Sequence, residues 1–232
     1  MIDQIISQLM VGMILGSIYS LMGIGLTLIW SIAGIPDYSQ AGIYMLSSYA
    51  ALFAASQLNA PFLLVILFAM VIGAVISTLL EKSVYRSIRI RPGPTWMRTT
   101  LICAVGLSYM IENIGLFLYT ATPRNMPSPY PMPVQVGPIS LSVQRLLTSV
   151  ISVIFFAAIG IFIKWTWIGK AIRASAQNLE AAKLMGINVE TIYSTVFALG
   201  GALSAAAACL VSPLYAIYPS MGNFPLAKCL VV

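Results

Sequence analysis

Long apolar runs, most of them near the length of a bilayer crossing, alternate along this chain with short polar stretches. They cover Ile5–Ala33, Ala41–Ser56, Phe62–Leu80, Thr99–Thr120, Leu146–Ile163 and Thr191–Ser212, and a further apolar segment begins at about Phe224. A helix needs about 20 such residues to cross the hydrocarbon. Ala41–Ser56 is the short one. Lipid offers no partners for backbone N–H and C=O groups, and no run shows the ten-residue apolar/polar alternation of a barrel strand, so helices must carry these spans. The pattern predicts an all-α polytopic transmembrane bundle of about six spans plus an incomplete seventh. It also predicts a single transmembrane domain over 1–232 that stops inside an apolar run.

Composition agrees and removes other classes. Charged residues make up 8% of the chain, hydrophobic residues 59%, and the mean hydropathy is +0.94; a soluble domain carries roughly 25% charged residues. With no histidine, the commonest metal ligand and the usual proton shuttle are both missing. Cys103, Cys209 and Cys229 lie in or beside apolar runs without CxxC spacing, so they read as small packing residues. No G-x-x-x-x-G-K-[ST] occurs, so the chain supplies no phosphate-binding loop of its own. No catalytic residue, metal or cofactor is expected, and no nucleic acid; the lipid bilayer is the first partner. The opening "MIDQIISQLM" has no positive n-region, so the first helix is expected to stay.

Orientation follows from Lys and Arg, which stay cytoplasmic in short loops. Lys82, Arg86, Arg89, Arg91 and Arg98 fill one loop, and Lys164, Lys170, Arg173 and Lys183 another. The segment Ala121–Gln144 between them is then outside, and counting back puts the N-terminus outside too. That outer segment has prolines at 123, 127, 129, 131, 133 and 138, which stiffen it toward polyproline geometry. Docking of a soluble protein and plain rigidity both account for it.

Four places carry chemistry. "GIPDYSQ", Gly34–Gln40, falls at the cytoplasmic side by this count yet has no Lys or Arg. Pro36 ends a helix there, and Asp37, Tyr38, Ser39 and Gln40 follow. A surface turn and a break that lines a translocation path are both open readings. In "KAIRASAQNLEAAKLMGIN", Lys170–Asn188, Ile172, Ala176, Leu179 and Lys183 follow helical spacing, Glu180 and Lys183 stand at i,i+3, and Gly186 suits a helix end. Its thin alanine surface fits docking into a partner's groove, while its charge fits lying on an anionic leaflet. Glu112 and Asn113 sit in the second half of a span, where an ionised side chain costs at least about 2.5–3.5 kcal/mol. A polar pair on the translocation path is one reading and hydration at the outer headgroups the other. Small residues at Gly12, Gly16 and Ser20, at Gly73 and Ser77, and at Gly201 and Ala205 have the spacing that lets membrane helices approach closely.

Three segments together resemble the permease subunits of branched-chain amino-acid ABC importers. They are "GSIYSLMGIGLTLIWSIAGIPDYSQAGIYMLSSYA" (Gly16–Ala50), "LEKSVYRSIR" (Leu80–Arg89) and "IGKAIRASAQNLEAAKLMGINVETIYSTVFALGGALSAAAACL" (Ile168–Leu210). The resemblance implies a multi-pass subunit of a bacterial or archaeal cell (inner) membrane, not an enzyme. Its implied partners are ABC ATP-binding subunits, a second permease subunit and a periplasmic or extracellular substrate-binding protein. Gly169, Lys170, Arg173, Glu180, Ala181 and Gly186 would then belong to the helix that couples to the ATP-binding subunit. Asp37, Tyr38, Gln40, Asn113 and Glu112 would line the path. The family's Asn-Phe-Ala-His-Gly-Glu is replaced here by Asp37-Tyr38-Ser39-Gln40-Ala41-Gly42, and Glu112 stands where a Gln is common. Members usually continue through about two more helices. If those are absent, the apolar surface of Thr191–Ser212 and of the segment after Phe224 should face lipid or a partner. Relatives that carry urea or short amides keep the substrate open, and an ion-coupled carrier or channel using Asp37 and Glu112 is the other functional class.

Overall fold

In the computed structural model, which describes residues 2–57, 60–90, 96–127, 133–136 and 139–231, the apolar runs are helices and the polar borders are where they stop. Arg91, Pro129, Pro131 and Pro138 lie outside the described residues. Helix α1 (Ile2–Ala33) ends at Gly34, whose positive φ of 72° lets its N–H close on the Trp30 carbonyl at 2.8 Å. Helix α2 (Gln40–Gln57) follows, then α3 (Phe62–Leu80), which runs through a π-helical turn (Glu81–Tyr85) into the short α4 (Arg86–Ile90). Helix α5 (Trp96–Tyr119) leads to the proline-rich segment. A two-stranded antiparallel ribbon, β1 (Pro133–Val136) and β2 (Ile139–Ser142), forms within that segment, with Pro133 opposite Ser142. Backbone pairing there replaces the polyproline geometry expected for residues 133–136. Helix α6 (Val143–Trp165), α7 (Trp167–Gln177), α8 (Leu179–Leu184), α9 (Val189–Val211) and α10 (Asn223–Val231) complete the all-α bundle.

Among the described residues, five helices are long and apolar enough to cross a membrane: Val11–Ala33, Phe62–Ile90, Trp96–Tyr119, Val143–Trp165 and Val189–Val211. Helix α2 is the shorter member expected from the sequence, and it is buried in the bundle. The central helix is α9. Its spanning window is 72% buried, against 39% or less for the other four. Within this chain most of Thr191–Ser212 is covered by α1, α2 and α3.

Glycine makes that central position possible. A Cβ on Gly201 would lie 2.4 Å from the Gly73 carbonyl oxygen of α3, and one on Gly200 would lie 3.0 Å from the Gly25 carbonyl oxygen of α1. Two backbones thus touch α9 at adjacent residues, the close approach that small residues permit between membrane helices. Of the small-residue pairs in the sequence, Gly73/Ser77 and Gly201/Ala205 meet each other, whereas nothing lies within 4 Å of a Cβ on Gly12 or Gly16.

Neighbouring helices give the depth of each element. The basic ends of α3 and α4, the start of α5, the corner of α6 and α7 and the start of α9 share one end of the bundle. Tyr119, Arg124 and Ile217 mark the other, where Arg124 and Ile217 form a backbone bridge. Gly42 packs on Ile111, fifteen residues into α5, and Gln40 bonds Ser204, fifteen residues into α9. At 1.5 Å per residue both place the start of α2 about 22 Å in from the basic end.

Candidate functional site

Residues 34–39 therefore do not form a turn at the basic surface. The chain leaves α1 level with Tyr193, whose hydroxyl donates to the Ile32 carbonyl at 3.2 Å, and climbs into the bundle before α2 begins. Asp37 is 2% exposed, and Ser39 and Gln40 are fully buried. Tyr38 is half-buried.

An irregular buried stretch needs hydrogen-bond partners, and Asp37 collects them. Its Oδ1 accepts from the Ser39 amide at 3.0 Å, the Ser39 hydroxyl at 2.6 Å and the Tyr85 hydroxyl at 2.6 Å. Its Oδ2 accepts from Gln40 Nε2 at 3.3 Å, and Gln40 Oε1 in turn accepts from Ser204 at 2.6 Å. The first of these is an Asx turn, which Asp favours because its short side chain reaches a backbone amide two residues on. No Lys or Arg pairs with Asp37 among the described residues. Neutral donors alone hold it, in a network that ties the start of α2 to the π-helical turn after α3 and to α9.

Beside this network lies a narrow cavity of about 20 Å³, lined in part by Asp37, Tyr85, Arg89, Trp96 and Tyr193, room for about one water. Arg89 bridges two carboxylates there, Glu81 Oε1 at 2.9 Å and Glu190 Oε2 at 2.8 Å, and its guanidinium lies 3.7 Å over the Tyr193 ring. Glu81 is fully buried, and its other oxygen accepts from Ser194 at 2.9 Å. Arg86 reaches Glu190 from outside at 3.2 Å. Sequence reasoning missed Tyr85, Arg89, Glu190 and Ser204 as members of this site. A signal was present: Glu81, Tyr85 and Arg89 recur every four residues, which puts them on one helical face.

The polar pair of α5 separates. Asn113 is exposed and donates to the Tyr109 carbonyl of its own helix at 2.8 Å, so it does not enter the interior network. Glu112 is half-buried and accepts from Asn223 at the start of α10 at 3.2 Å. Residue 112 lies about 24 Å along α5 by helical rise, at the depth of α2's start and away from either helix end. A groove of about 860 Å³ opens between α1 and α10, lined by Gly16, Tyr19, Ser20, Thr27 and Phe224 among others, with Lys228 facing into it. The Lys228 ammonium stands 5.1 Å from the Tyr19 ring centre and 4.3 Å from that of Phe224.

At the basic end, Lys170–Asn188 forms two helices rather than the one that spacing suggested. Asn178 is the reason: its backbone N–H closes α7 on the Ala174 carbonyl, while its side chain caps α8 by accepting from the Ala181 amide at 3.0 Å. Glu180 and Lys183 do not form an ion pair. Gly186, with φ 83°, ends α8 in a Schellman arrangement, its N–H bonding Lys183 and that of Ile187 bonding Ala182. Gly169 is buried, and a Cβ there would meet the Ile163 carbonyl oxygen, so it builds the corner between α6 and α7. Arg173 caps the same Ile163 carbonyl. Lys170, Arg173, Glu180, Ala181 and Gly186 are exposed. So are Leu184 at 89% and Met185 at 83%, two apolar side chains that the sequence reading passed over.

The family model described as "Branched-chain amino acid transport system / permease component" matches residues 8–228. The chain belongs to that family. It is 28% identical over 231 residues to the high-affinity branched-chain amino acid transport system permease protein BraD of Pseudomonas aeruginosa, covering 94% of this chain and 74% of that protein. It is 27% identical over 225 residues to the permease protein LivH of Escherichia coli K12, covering 91% and 72%. LivH of Salmonella typhimurium is similar at 26%. No solved structure matches the chain significantly. The protein is thus a transport permease subunit of the membrane, not an enzyme, and membership implies ATP-binding subunits among its partners.

The buried break has a measurable consequence. In a version with Cys103, Cys209 and Cys229 replaced, a cysteine at position 39 should react slowly with a small hydrophilic thiol reagent at rest and faster during turnover. A cysteine at exposed position 181 should react fast throughout. Fast, turnover-independent labelling at position 39 would mean that the break is a surface turn.

Proposed function

We propose that this chain forms, with a second permease subunit, the membrane path of an ATP-driven importer for branched-chain amino acids. A substrate-binding protein would dock outside and ATP-binding subunits inside. The observation that carries this reading is the far end of α8, where Leu184 and Met185 project from the basic end near the exposed Ala181. Apolar side chains exposed in water mark a contact surface. The basic end is then cytoplasmic, as expected for short loops rich in Lys and Arg, and the N-terminus is outside.

The path itself we assign to the face shared by α5, α10 and α1. Charged groups at membrane depth face water or a partner rather than lipid, and on this reading Glu112 and Lys228 face the path. Asp37 and Gln40 act on that path indirectly, by fixing where α2 starts.

Reconstitution with two ATP-binding subunits, a partner permease and a binding protein should give leucine, isoleucine and valine uptake that needs ATP. Uptake by this chain alone under an ion gradient would favour a secondary carrier, and uptake of urea in preference to leucine would move the substrate class. Replacing Ala181 by Trp should block co-purification of the ATP-binding subunits while the permease still inserts. Native-level co-purification would count against docking at α8.

A further inference from the structure

We propose that Arg89 is the positioning residue of a latch by which movement of the α7–α8 corner is passed to the buried break before α2. The proposal rests on the docking reading of that corner. Helix α8 and helix α9 are joined by residues 185–188, and the joint is stiff. The Ile187 amide bonds back to Ala182 at 3.1 Å, and Asn188 caps α9 by accepting from the Thr191 amide at 3.3 Å. A displacement of α8 is therefore carried to the first turn of α9, which holds Glu190.

From Glu190 the connection continues through ion pairs to Arg89 at 2.8 Å and from Arg89 to Glu81 at 2.9 Å. Arg89 also sits over Tyr193, on the next turn of α9, so one guanidinium grips that helix twice. Glu81 and Tyr85 bound the π-helical turn. Such turns hold one residue more than the α-helix around them and often occur at functional sites. The Tyr85 hydroxyl then reaches Asp37 at 2.6 Å, across forty-eight residues of sequence.

The chain of contacts has a property that a mere brace lacks. The link from Arg89 to Glu190 joins two separate helices across the end of the bundle. The Arg89 side chain borders the small cavity beside Asp37. Parting α4 from α9 at this one guanidinium would release Glu190 and Tyr193 together. The geometry gives that release a trigger at α8 and an output at Asp37.

The assay is the full complex in proteoliposomes with labelled leucine, scoring three quantities: ATP-binding subunits retained, ATP hydrolysed, and leucine taken up per ATP. For Arg89→Gln, retention and hydrolysis should persist while uptake per ATP falls roughly 5- to 100-fold, the range of ordinary coupling energies. Tyr85→Phe, which removes one hydroxyl and keeps the ring on Phe197, should uncouple in the same direction by less. Arg86→Gln should stay near wild type, since its contact with Glu190 is about half exposed. If Arg89→Gln does not fold, Tyr85→Phe alone decides. Unchanged uptake per ATP in the assembled variants, or uptake and hydrolysis falling in proportion, overturns the latch. A wild-type permease that retains no ATP-binding subunit overturns the docking reading, and the latch with it.

Discussion

Gly201→Val is expected to leave no correctly packed permease. The nearest atoms to a Cβ at this position are the Gly73 carbonyl oxygen at 2.4 Å and Ser77 Cβ at 2.5 Å, and neither is the end of a flexible side chain. A branched side chain must push α3 and α9 apart along the most buried helix of the bundle. Overpacking a core costs about 1–3 kcal/mol when side chains can shift, and here the obstacle is backbone, so the cost should reach or pass the top of that range. In detergent the variant should aggregate or elute as a broad peak, and trypsin should cut it inside segments that wild type protects. Gly16→Val is the control. Nothing lies within 4 Å of a Cβ at Gly16, so that variant should elute like wild type. A monodisperse, protease-resistant Gly201→Val permease would mean that α3 and α9 do not touch at these glycines.

The contrast between Gly16 and Gly201 also shows what the sequence could and could not say. Both belong to small-residue pairs at four-residue spacing, and spacing alone makes them equal. Which stripe meets a neighbour depends on the rotation of each helix in the bundle, which composition does not encode in a chain where lipid and helix neighbours are equally apolar. Helix existence was easier to read. Each apolar run is long because the hydrocarbon is about 30 Å thick, and helical because lipid forces the backbone to bond within its own segment.

Depth was the harder quantity. Hydropathy counts apolar runs, and a run such as Ala41–Ser56 reads as one crossing whether it starts at the surface or about 22 Å inside. Pro36 and the polar residues behind it flagged the irregularity, but Tyr85 and Ser204, which make it tolerable, come from distant parts of the chain. The split of Lys170–Asn188 was closer to legible. Asn178 stands in an alanine-rich run, Asn is a preferred N-cap, and Ala181 three residues on is where its side chain bonds. Periodicity bridged the break because α7 and α8 both expose alanine, so the apolar pattern does not change phase visibly at Asn178.

Leu184→Asp is expected to remove the ATP-binding subunits from the purified complex while leaving the permease itself intact. Leu184 ends α8 and is 89% exposed, with Met185 beside it at 83%, so neither contributes packing within this chain. An isolated subunit gains nothing from two bare apolar side chains at its basic end, whereas a partner groove that buries them does. Central apolar anchors of an interface are worth about 2 kcal/mol or more, and a carboxylate driven into the same groove adds a desolvation cost. Affinity should fall by a factor of roughly thirty or more on the same grounds. The thermal stability of the permease alone should not move, because the substituted side chain already stands in solvent. Lys170→Ala separates this from charge-driven docking: if the corner binds chiefly through its basic residues, Lys170→Ala should cost as much as Leu184→Asp and raised salt should mimic it. Retention of the ATP-binding subunits by Leu184→Asp at the wild-type level would mean that the apolar tip of α8 is not the contact and that the partner is held elsewhere along the basic end.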